Sequence, residues 1–273
     1  MNRTICLREL ADVRGLTLAC AAVLFAFQWL AVWMAMLLQG EEFLRFFMSL
    51  PSWMQGLIPV EARTMATPPG MIAMAYVDPT VLLTLSVFAI ARGSDIVSGR
   101  LDRGTMEMLL AQPIRRITLF GTHAGVTIAA AAVLAASCWL GTVVGLMFVG
   151  FDQPVSARPL LGSAVNLLTF TFFLAALTSL FSACQRYRSQ TIAWVGGIFV
   201  VQLIQKVVSR AGELQWITYT TFFGAFEPAT IATGPGDPLV LSLQYNGVFL
   251  AMGLACYVAA VAIFCRRDLP APL

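Results

Sequence analysis

Few residues of this 273-residue chain have side chains suited to covalent chemistry. The chain has one histidine, His123, and one lysine, Lys206, which stands in the apolar stretch LIQKVVS. A P-loop needs a lysine after glycine to reach the phosphates of a nucleotide, and no glycine precedes Lys206. The sequence therefore predicts that this chain binds no cofactor and hydrolyses no ATP. Because His123 is the single histidine, a structural role is favoured for it.

The cysteines and one acidic pair are the remaining candidates for a metal or protease site. The six cysteines have no C-x-x-C spacing and mostly lie in or beside apolar runs, which is typical of small buried side chains. Glu41, Glu42 and Arg45 resemble the E-E-x-x-x-R motif of intramembrane proteases, but the spacing is one residue short. An intramembrane enzyme is an alternative that needs convergent ionisable groups, and the spans offer only Asp78.

Three polar residues inside apolar runs are candidates for a substrate pathway. Asp78 precedes Pro79, so it either contacts a substrate or cation within the membrane or caps the start of a helix. Gln202 and Gln205 either line a translocation path or form hydrogen bonds between helices. A secondary transporter is a further alternative, although it would need buried charged relays that the sequence does not show.

The composition identifies an integral membrane protein. Hydrophobic residues make up 59% of the chain and charged residues 11%, against roughly 25% in a soluble domain. The small net charge of +3 does not indicate a nucleic-acid partner. Apolar runs long enough to cross a bilayer predict an all-α protein with six spans in a single domain, residues 1–273. The spans are expected at about 16–38, 71–91, 117–149, 160–184, 191–208 and 244–265.

The arginine distribution predicts the orientation of these spans. Twelve of the 17 basic residues fall in residues 1–15, 92–116, 185–188 and 266–273. By the positive-inside rule these segments are cytoplasmic, which places both termini on the inner side of the plasma membrane. Ile5, Leu10 and Val13 predict a short interfacial helix before the first span.

Residues 92–116 form a polar island between the second and third spans, with five arginines and three acids. Within it, Met106, Leu109 and Leu110 have the spacing of one helical face, and Pro113 ends the helix. Asp102 or Thr105 is expected to cap the start, where Glu107 suits the positive end of the helix dipole. The pattern predicts a short amphipathic helix over 102–113 that either lies on lipid or inserts into a groove of a partner, and docking on a partner is favoured.

The island resembles the loop signature of permease subunits of the ABC type-2 exporter family. The resemblance rests on residues 101–116, with its core at 104–113, GTMEMLLAQP, and extends more weakly over the whole chain. It implies that a coupling helix docks on separate ABC ATPase subunits, which bind the ATP, and that a second permease copy or close homologue completes the transporter. An accessory periplasmic or extracellular protein stays open as a partner. The coupling residues implied are Gly104, Thr105, Met106, Glu107, Leu109, Leu110, Gln112 and Pro113.

Two further features concern helix packing and the outer side. Gly141 and Gly145, and the pair Gly196 and Gly197, permit close helix approach, and packing within the subunit is favoured over a dimer seam. Residues 216–226 contain too few apolar residues to cross the bilayer. By the same resemblance they are expected to form a re-entrant helical hairpin before the sixth span.

Overall fold

A computed structural model describes residues 3–37, 49, 67–110, 115–151, 155–209 and 212–267. Within these ranges the regular structure is helical. The α-helices are α1 Arg3–Leu37, α2 Pro68–Ala75, α3 Pro79–Ser94, α4 Thr105–Leu110, α5 Arg116–Phe148, α6 Arg158–Cys184, α7 Arg188–Val208, α8 Pro228–Thr233 and α9 Pro238–Arg266. A π-helical turn, Asp95–Gly99, and a helical turn, Arg100–Asp102, extend α3, and two 3-10 helices, Gly212–Tyr219 and Phe222–Ala225, lie between α7 and α8.

Six helical segments in the described chain are long and apolar enough to cross a membrane, which confirms the predicted count. Five correspond to single helices, and the second combines α2, α3 and the turns up to Asp102. The residues expected to form a separate interfacial helix are helical from Arg3 onwards and continue without a break into the first span. The segment therefore extends the first span beyond its expected start at residue 16.

Helix α6 lies at the centre of the bundle and contacts α9, α3, α5, α7 and α8. Its most apolar window is 67% buried, against 22–44% for the other five spans. Phenylalanine rings fill the space between the middle of α6 and its neighbours: Phe170, Phe173, Phe223, Phe226 and Phe249 have ring centroids within 6.2 Å of at least one other member. These rings anchor the 3-10 segments against the membrane-spanning core.

Glycines bring α1 and α5 into close contact. A Cβ atom on Gly141 would lie 2.5 Å from the carbonyl oxygen of Phe25, and one on Gly145 would lie 2.8 Å from Cβ of Val32. The prediction that these glycines pack within the subunit is confirmed. It is wrong for Gly196 and Gly197 in α7, since a Cβ on either would meet no described atom within 4 Å.

The arginine-rich segments meet at one end of the bundle, which we call the basic end: residues 3–15, 92–110, 115–116, 185–188 and 266–267. Arg116 at the start of α5 donates hydrogen bonds to the carbonyl oxygens of Phe264 (3.1 Å) and Arg267 (2.8 Å) at the end of α9. Arg267 donates to the carbonyl of Ala183 at 2.7 Å. The sequence segments that share positive charge are therefore also neighbours in space.

Candidate functional site at the basic end

The second span changes its helical form where it enters the basic end. After Ser94 the backbone widens into the π-helical turn, which takes N–H groups out of the regular α-helical ladder. Two of them, on Val97 and Ser98, donate to the hydroxyl oxygen of Ser182 in α6 at 3.2 and 2.9 Å. This side chain therefore holds the turn against the central helix and fixes where the following residues begin.

A buried ion cluster joins three helices just beside this turn. Glu9 of α1 is 4% exposed, and its carboxylate accepts hydrogen bonds from Arg92 of α3, at 3.1 Å, and from Arg100 after the π-helical turn. Both guanidinium groups are on residues only 5% exposed. Arg92 also donates through Nε to the hydroxyl of Thr127 in α5, at 3.4 Å. Because burial makes an unpaired charge costly, this cluster holds α1, α3 and α5 together at the basic end.

His123 belongs to the same cluster. Its imidazole is 1% exposed, and Nε2 lies 3.8 Å from Oε2 of Glu9, beyond hydrogen-bonding distance. The side chain is packed within the bundle among charged neighbours, which agrees with the structural role predicted for it.

A cavity of about 1070 Å³ lies against this cluster, between the N-terminal part of α1 and the segment that follows α3. We call it the arginine cavity. Its charged lining residues are Arg8, Glu9, Asp12, Arg92, Asp95, Arg100, Arg103 and Arg188. Apolar side chains complete the wall, among them Ile5, Val13 and Leu16. The cavity is therefore both strongly charged and partly apolar.

The segment predicted to couple to a partner lies next to the cavity. Gly104 has φ +67°, a left-handed conformation that glycine adopts without strain, and it separates the turn Arg100–Asp102 from α4. Asp102 ends that turn instead of capping α4, and the hydroxyl of Thr105 donates to the carbonyl of Arg100 at 3.2 Å. A glycine thus interrupts the helical conformation before α4, and neither predicted cap has a capping hydrogen bond in the described structure.

The apolar face predicted for this helix is divided in the structure. Met106 is fully buried in this chain, in a cluster with Ile96, Leu119 and Phe120, so it is not part of an exposed docking face. Met108, which was not predicted, is 67% exposed. The side chains of Glu107, Leu109 and Leu110, and residues Gln112 and Pro113, lie outside what the structure describes. Their assignment to the coupling surface stays a prediction.

Asp78 marks a break between α2 and α3. Its carboxylate accepts a hydrogen bond from the backbone N–H of Thr80 at 2.7 Å, and Pro79 is the first helical residue. This is the geometry of an N-cap, so one of the two interpretations of Asp78 has its hydrogen bond in the structure. No ion pair to Asp78 occurs within the described ranges.

Of the two candidate glutamines of α7, Gln202 contacts the 3-10 segments at the end of the bundle opposite the basic end. Oε1 of Gln202 accepts from the backbone N–H of Phe222 at 3.1 Å, whereas Oε1 of Gln205 is buried without a hydrogen-bond partner among the described atoms. Lys206, also in α7, pairs with Glu227 and donates to the carbonyl of Phe223 at 2.8 Å. These contacts fasten α7 to residues 221–227, so Gln202 is an anchor for that segment.

Residues 216–226 comprise the second half of the 3-10 helix Gly212–Tyr219, a turn at residues 220–221 and the 3-10 helix Phe222–Ala225. Phe223 is buried among the phenylalanines, whereas Trp216 and Tyr219 are exposed. Asn166 of α6 donates to the carbonyl of Ala225 at 3.2 Å, which satisfies a backbone group inside the bundle. The segment is thus held by protein contacts, and its position relative to a membrane stays a prediction.

Sequence reasoning missed the ion cluster at the basic end. Glu9 lies within residues 1–15, which the sequence predicts to form an interfacial helix, and Arg92 and Arg100 lie within the polar island that the orientation argument uses. One signal was present, since Glu9 is an acid within a helix that continues into an apolar span and such a group needs a partner. Among the described residues, no three or more histidine, cysteine or acidic side chains are placed to hold a metal ion.

Six apolar helical segments in the described chain, five of them around the buried central helix α6, with arginines gathered at one end, define a polytopic helical membrane protein. The sequence matches the family model described as ABC-2 family transporter protein over residues 5–269. The chain therefore belongs to the ABC-2 transporter family and is a membrane subunit of a transporter, not a catalytic domain. Membership of this family implies, in general terms, ATPase partner subunits and the formation of a dimer. A comparison with curated proteins finds no match.

Proposed function

We propose that this chain is the permease subunit of an ATP-binding cassette exporter, driven by separate ATPase subunits that dock on the basic end. The observation that carries the proposal is the position of residues 100–110 within a chain of this family. The segment is short, directly follows the second span, and is attached to it through a π-helical turn and a buried ion cluster. By the positive-inside rule this end faces the cytoplasm, where ATP is available.

The ion cluster gives the segment a mechanical connection to the spans. A movement of Arg100 displaces its carboxylate partner Glu9 in α1, which is also bound to Arg92 in α3. Breaking these contacts would leave buried charges unpaired, so the three elements move together at low cost and separate only at high cost. ATP-driven closure of the partner subunits would in this way rock α1 and α3 and alternate the access of the substrate pathway.

The pathway itself is proposed to form between two permease copies, with α7 facing the second copy. Helix α7 has a wide apolar outer face that includes Trp194, Val201 and Ile204, and its glycines Gly196 and Gly197 are open to close approach. Gln205 and Asp78 remain the polar candidates along this pathway. In this proposal the protein lies in the plasma membrane with both termini in the cytoplasm, which the positive-inside rule supports.

The test is an acidic substitution in the docking segment. Leu109→Asp should abolish co-purification of the ATPase and its stimulation by the permease, because an apolar side chain buried in a partner groove contributes roughly 1.5–3 kcal/mol. Expression and membrane insertion should be unchanged, since the residue lies outside the spans. Leu110→Asp should act in the same way.

The matched control is Tyr187→Asp, which introduces the same acid at an exposed site of the basic end in the turn between α6 and α7. It should leave ATPase binding intact. Full ATPase binding and transport by the Leu109 and Leu110 variants would rule out this segment as the coupling element. A charge change at Arg100 is unsuitable as a control because this arginine is buried against Glu9.

A further inference from the structure

The arginine cavity carries more positive than negative charge. Five arginines line it, against three carboxylates, which leaves a formal surplus of two positive charges. Asp95 is paired with Arg103 at 2.7 Å, and Glu9 is shared by two arginines, Arg92 and Arg100. Among the described residues, Arg188 donates to two neutral acceptors, the Ser94 hydroxyl and the Ala91 carbonyl, and to no carboxylate. The described protein atoms therefore leave this cavity incompletely neutralised.

One of the arginines that line the cavity has a buried donor without a partner. Arg100 is 5% exposed, and its Nη1 atom has no hydrogen-bond partner in the described structure although its Nη2 atom binds Glu9. Burying a guanidinium donor without an acceptor is costly, and an anion with several oxygens removes that cost through short charge-assisted bonds. The charge surplus and the unused donor thus indicate the same kind of occupant, a group with a phosphate-like array of oxygens.

The surroundings of the cavity identify the source of that group. Ile5, Val13 and Leu16, on the part of α1 that leads into the first span, form its apolar wall. A soluble anion gains nothing from such a wall, whereas a phospholipid places its headgroup beside the arginines and its glycerol and first methylenes beside the apolar residues. Basic pockets between spanning helices at the cytoplasmic surface are suited to anionic headgroups.

We propose that the arginine cavity is a binding site for an anionic phospholipid of the cytoplasmic leaflet, with the phosphate held by Arg100 and Arg8. The lipid would neutralise the charge surplus beside the ion cluster and stabilise the end of the second span. The proposal rests on the orientation given under the proposed function, but not on the ATPase, so it is tested on the permease alone.

The experiment uses the full chain purified in a neutral detergent and titrated with phosphatidylglycerol, phosphatidylcholine or inorganic phosphate. Native mass spectrometry measures the bound lipid, and thermal unfolding measures the stabilisation. Phosphatidylglycerol should bind at least about fivefold more tightly than phosphatidylcholine, the factor expected for one arginine near a lipid surface. Arg8→Gln should remove about that factor, because Arg8 is an exposed residue of the lining that the fold does not need.

The matched control is Arg14→Gln, which removes an exposed arginine from the same helix outside the cavity and should leave binding unchanged. Arg100→Gln should reduce the affinity for phosphatidylglycerol more than Arg8→Gln does, and its unfolding transition checks that this variant is folded. Three results would overturn the proposal: equal binding of both lipids, equal loss in the Arg8 and Arg14 variants, or equal stabilisation by inorganic phosphate at the same concentration. None of these readouts depends on transport or on an ATPase, so failure of the lipid site and failure of the permease assignment are distinguishable.

Discussion

At the scale of single residues, Glu9 has the largest number of charged neighbours in the basic-end cluster. It is the only carboxylate that accepts from Arg92 and Arg100 among the described residues, and it lies near His123. If this buried carboxylate is removed, no other described carboxylate takes its place beside the two guanidinium groups. The stability of the basic end should therefore depend on this side chain more than on any exposed acid.

Glu9→Ala should lower the free energy of unfolding by about 3–5 kcal/mol, because it leaves two buried cations without their partner. Thermal or denaturant unfolding of the purified permease measures this change. The control Asp12→Ala lies one turn further along α1, where Asp12 is exposed, and should change stability by no more than about 0.5 kcal/mol. Equal, small effects of both substitutions would show that the buried cluster does not hold the helices together.

Asp78 offers a second prediction at this scale. Asp78→Asn keeps a side-chain oxygen for the Thr80 N–H and removes the charge, whereas Asp78→Ala removes the cap. The asparagine variant should retain transport and stability, and the alanine variant should lose about 1 kcal/mol. Transport assays at matched expression check this. Loss of transport in Asp78→Asn would instead assign the charge to substrate or ion contact.

Asp78 and Glu9 differ in how far along the chain their partners lie, and this distance decides which of the two contacts could be predicted from the sequence. The sequence could suggest the cap at Asp78 because the N–H that it binds is only two residues away and the proline that follows is a local signal of a helix start. The cluster at Glu9 could not be deduced, since Arg92 and Arg100 are 83 and 91 residues away and no periodic pattern specifies which helix faces which. Local hydrogen bonds are readable from sequence, whereas contacts set by tertiary packing are not.

At the scale of helices, the contact between α1 and α5 depends on two glycines of the same face. Gly141 and Gly145 are four residues apart, so they form one smooth strip against Phe25 and Val32. The sequence predicted this strip because small residues at that spacing are typical of close helix pairs. It gave no such guidance for Met106, whose apolar character suits a partner groove and an internal core equally well.

Gly141→Ala should destabilise the permease by about 1–3 kcal/mol, because the new methyl group would meet the Phe25 carbonyl, a backbone atom that cannot rotate away. The control in the same helix is Gly125→Ala, where nothing described lies within 4 Å of the added atom. That substitution should be neutral or stabilising by up to about 1 kcal/mol through helix propensity. Unfolding midpoints of the two variants give the comparison, and the reverse order would contradict the packing described for α1 and α5.

At the scale of the whole molecule, the positions of the spans were predictable because each is a long apolar run and the hydrocarbon core sets its length. The arrangement of the spans was not predictable, because an apolar helix face that contacts lipid has the same sequence pattern as one that contacts protein. The central position of α6 therefore appears only in the packed structure. The structure places both described ends of the chain, Arg3 and Arg267, at the basic end, and the turn at residues 234–237 at the opposite end. This separation makes the orientation in the membrane testable with two cysteines.

The expected topology has the basic end in the cytoplasm. In a background without the six native cysteines, Pro235→Cys should react with a membrane-impermeant maleimide in intact cells, because residue 235 is exposed at the end opposite the arginines. Asp102→Cys, exposed at the basic end, should react only after the cells are permeabilised. The wild-type chain provides an internal control, since its exposed Cys184 and Cys265 lie at the basic end and should share the behaviour of residue 102. Labelling of Asp102→Cys in intact cells would show that the orientation is the reverse of the one proposed. The docking segment would then face away from the cytoplasmic ATP, and the arginine cavity would face away from the cytoplasmic leaflet.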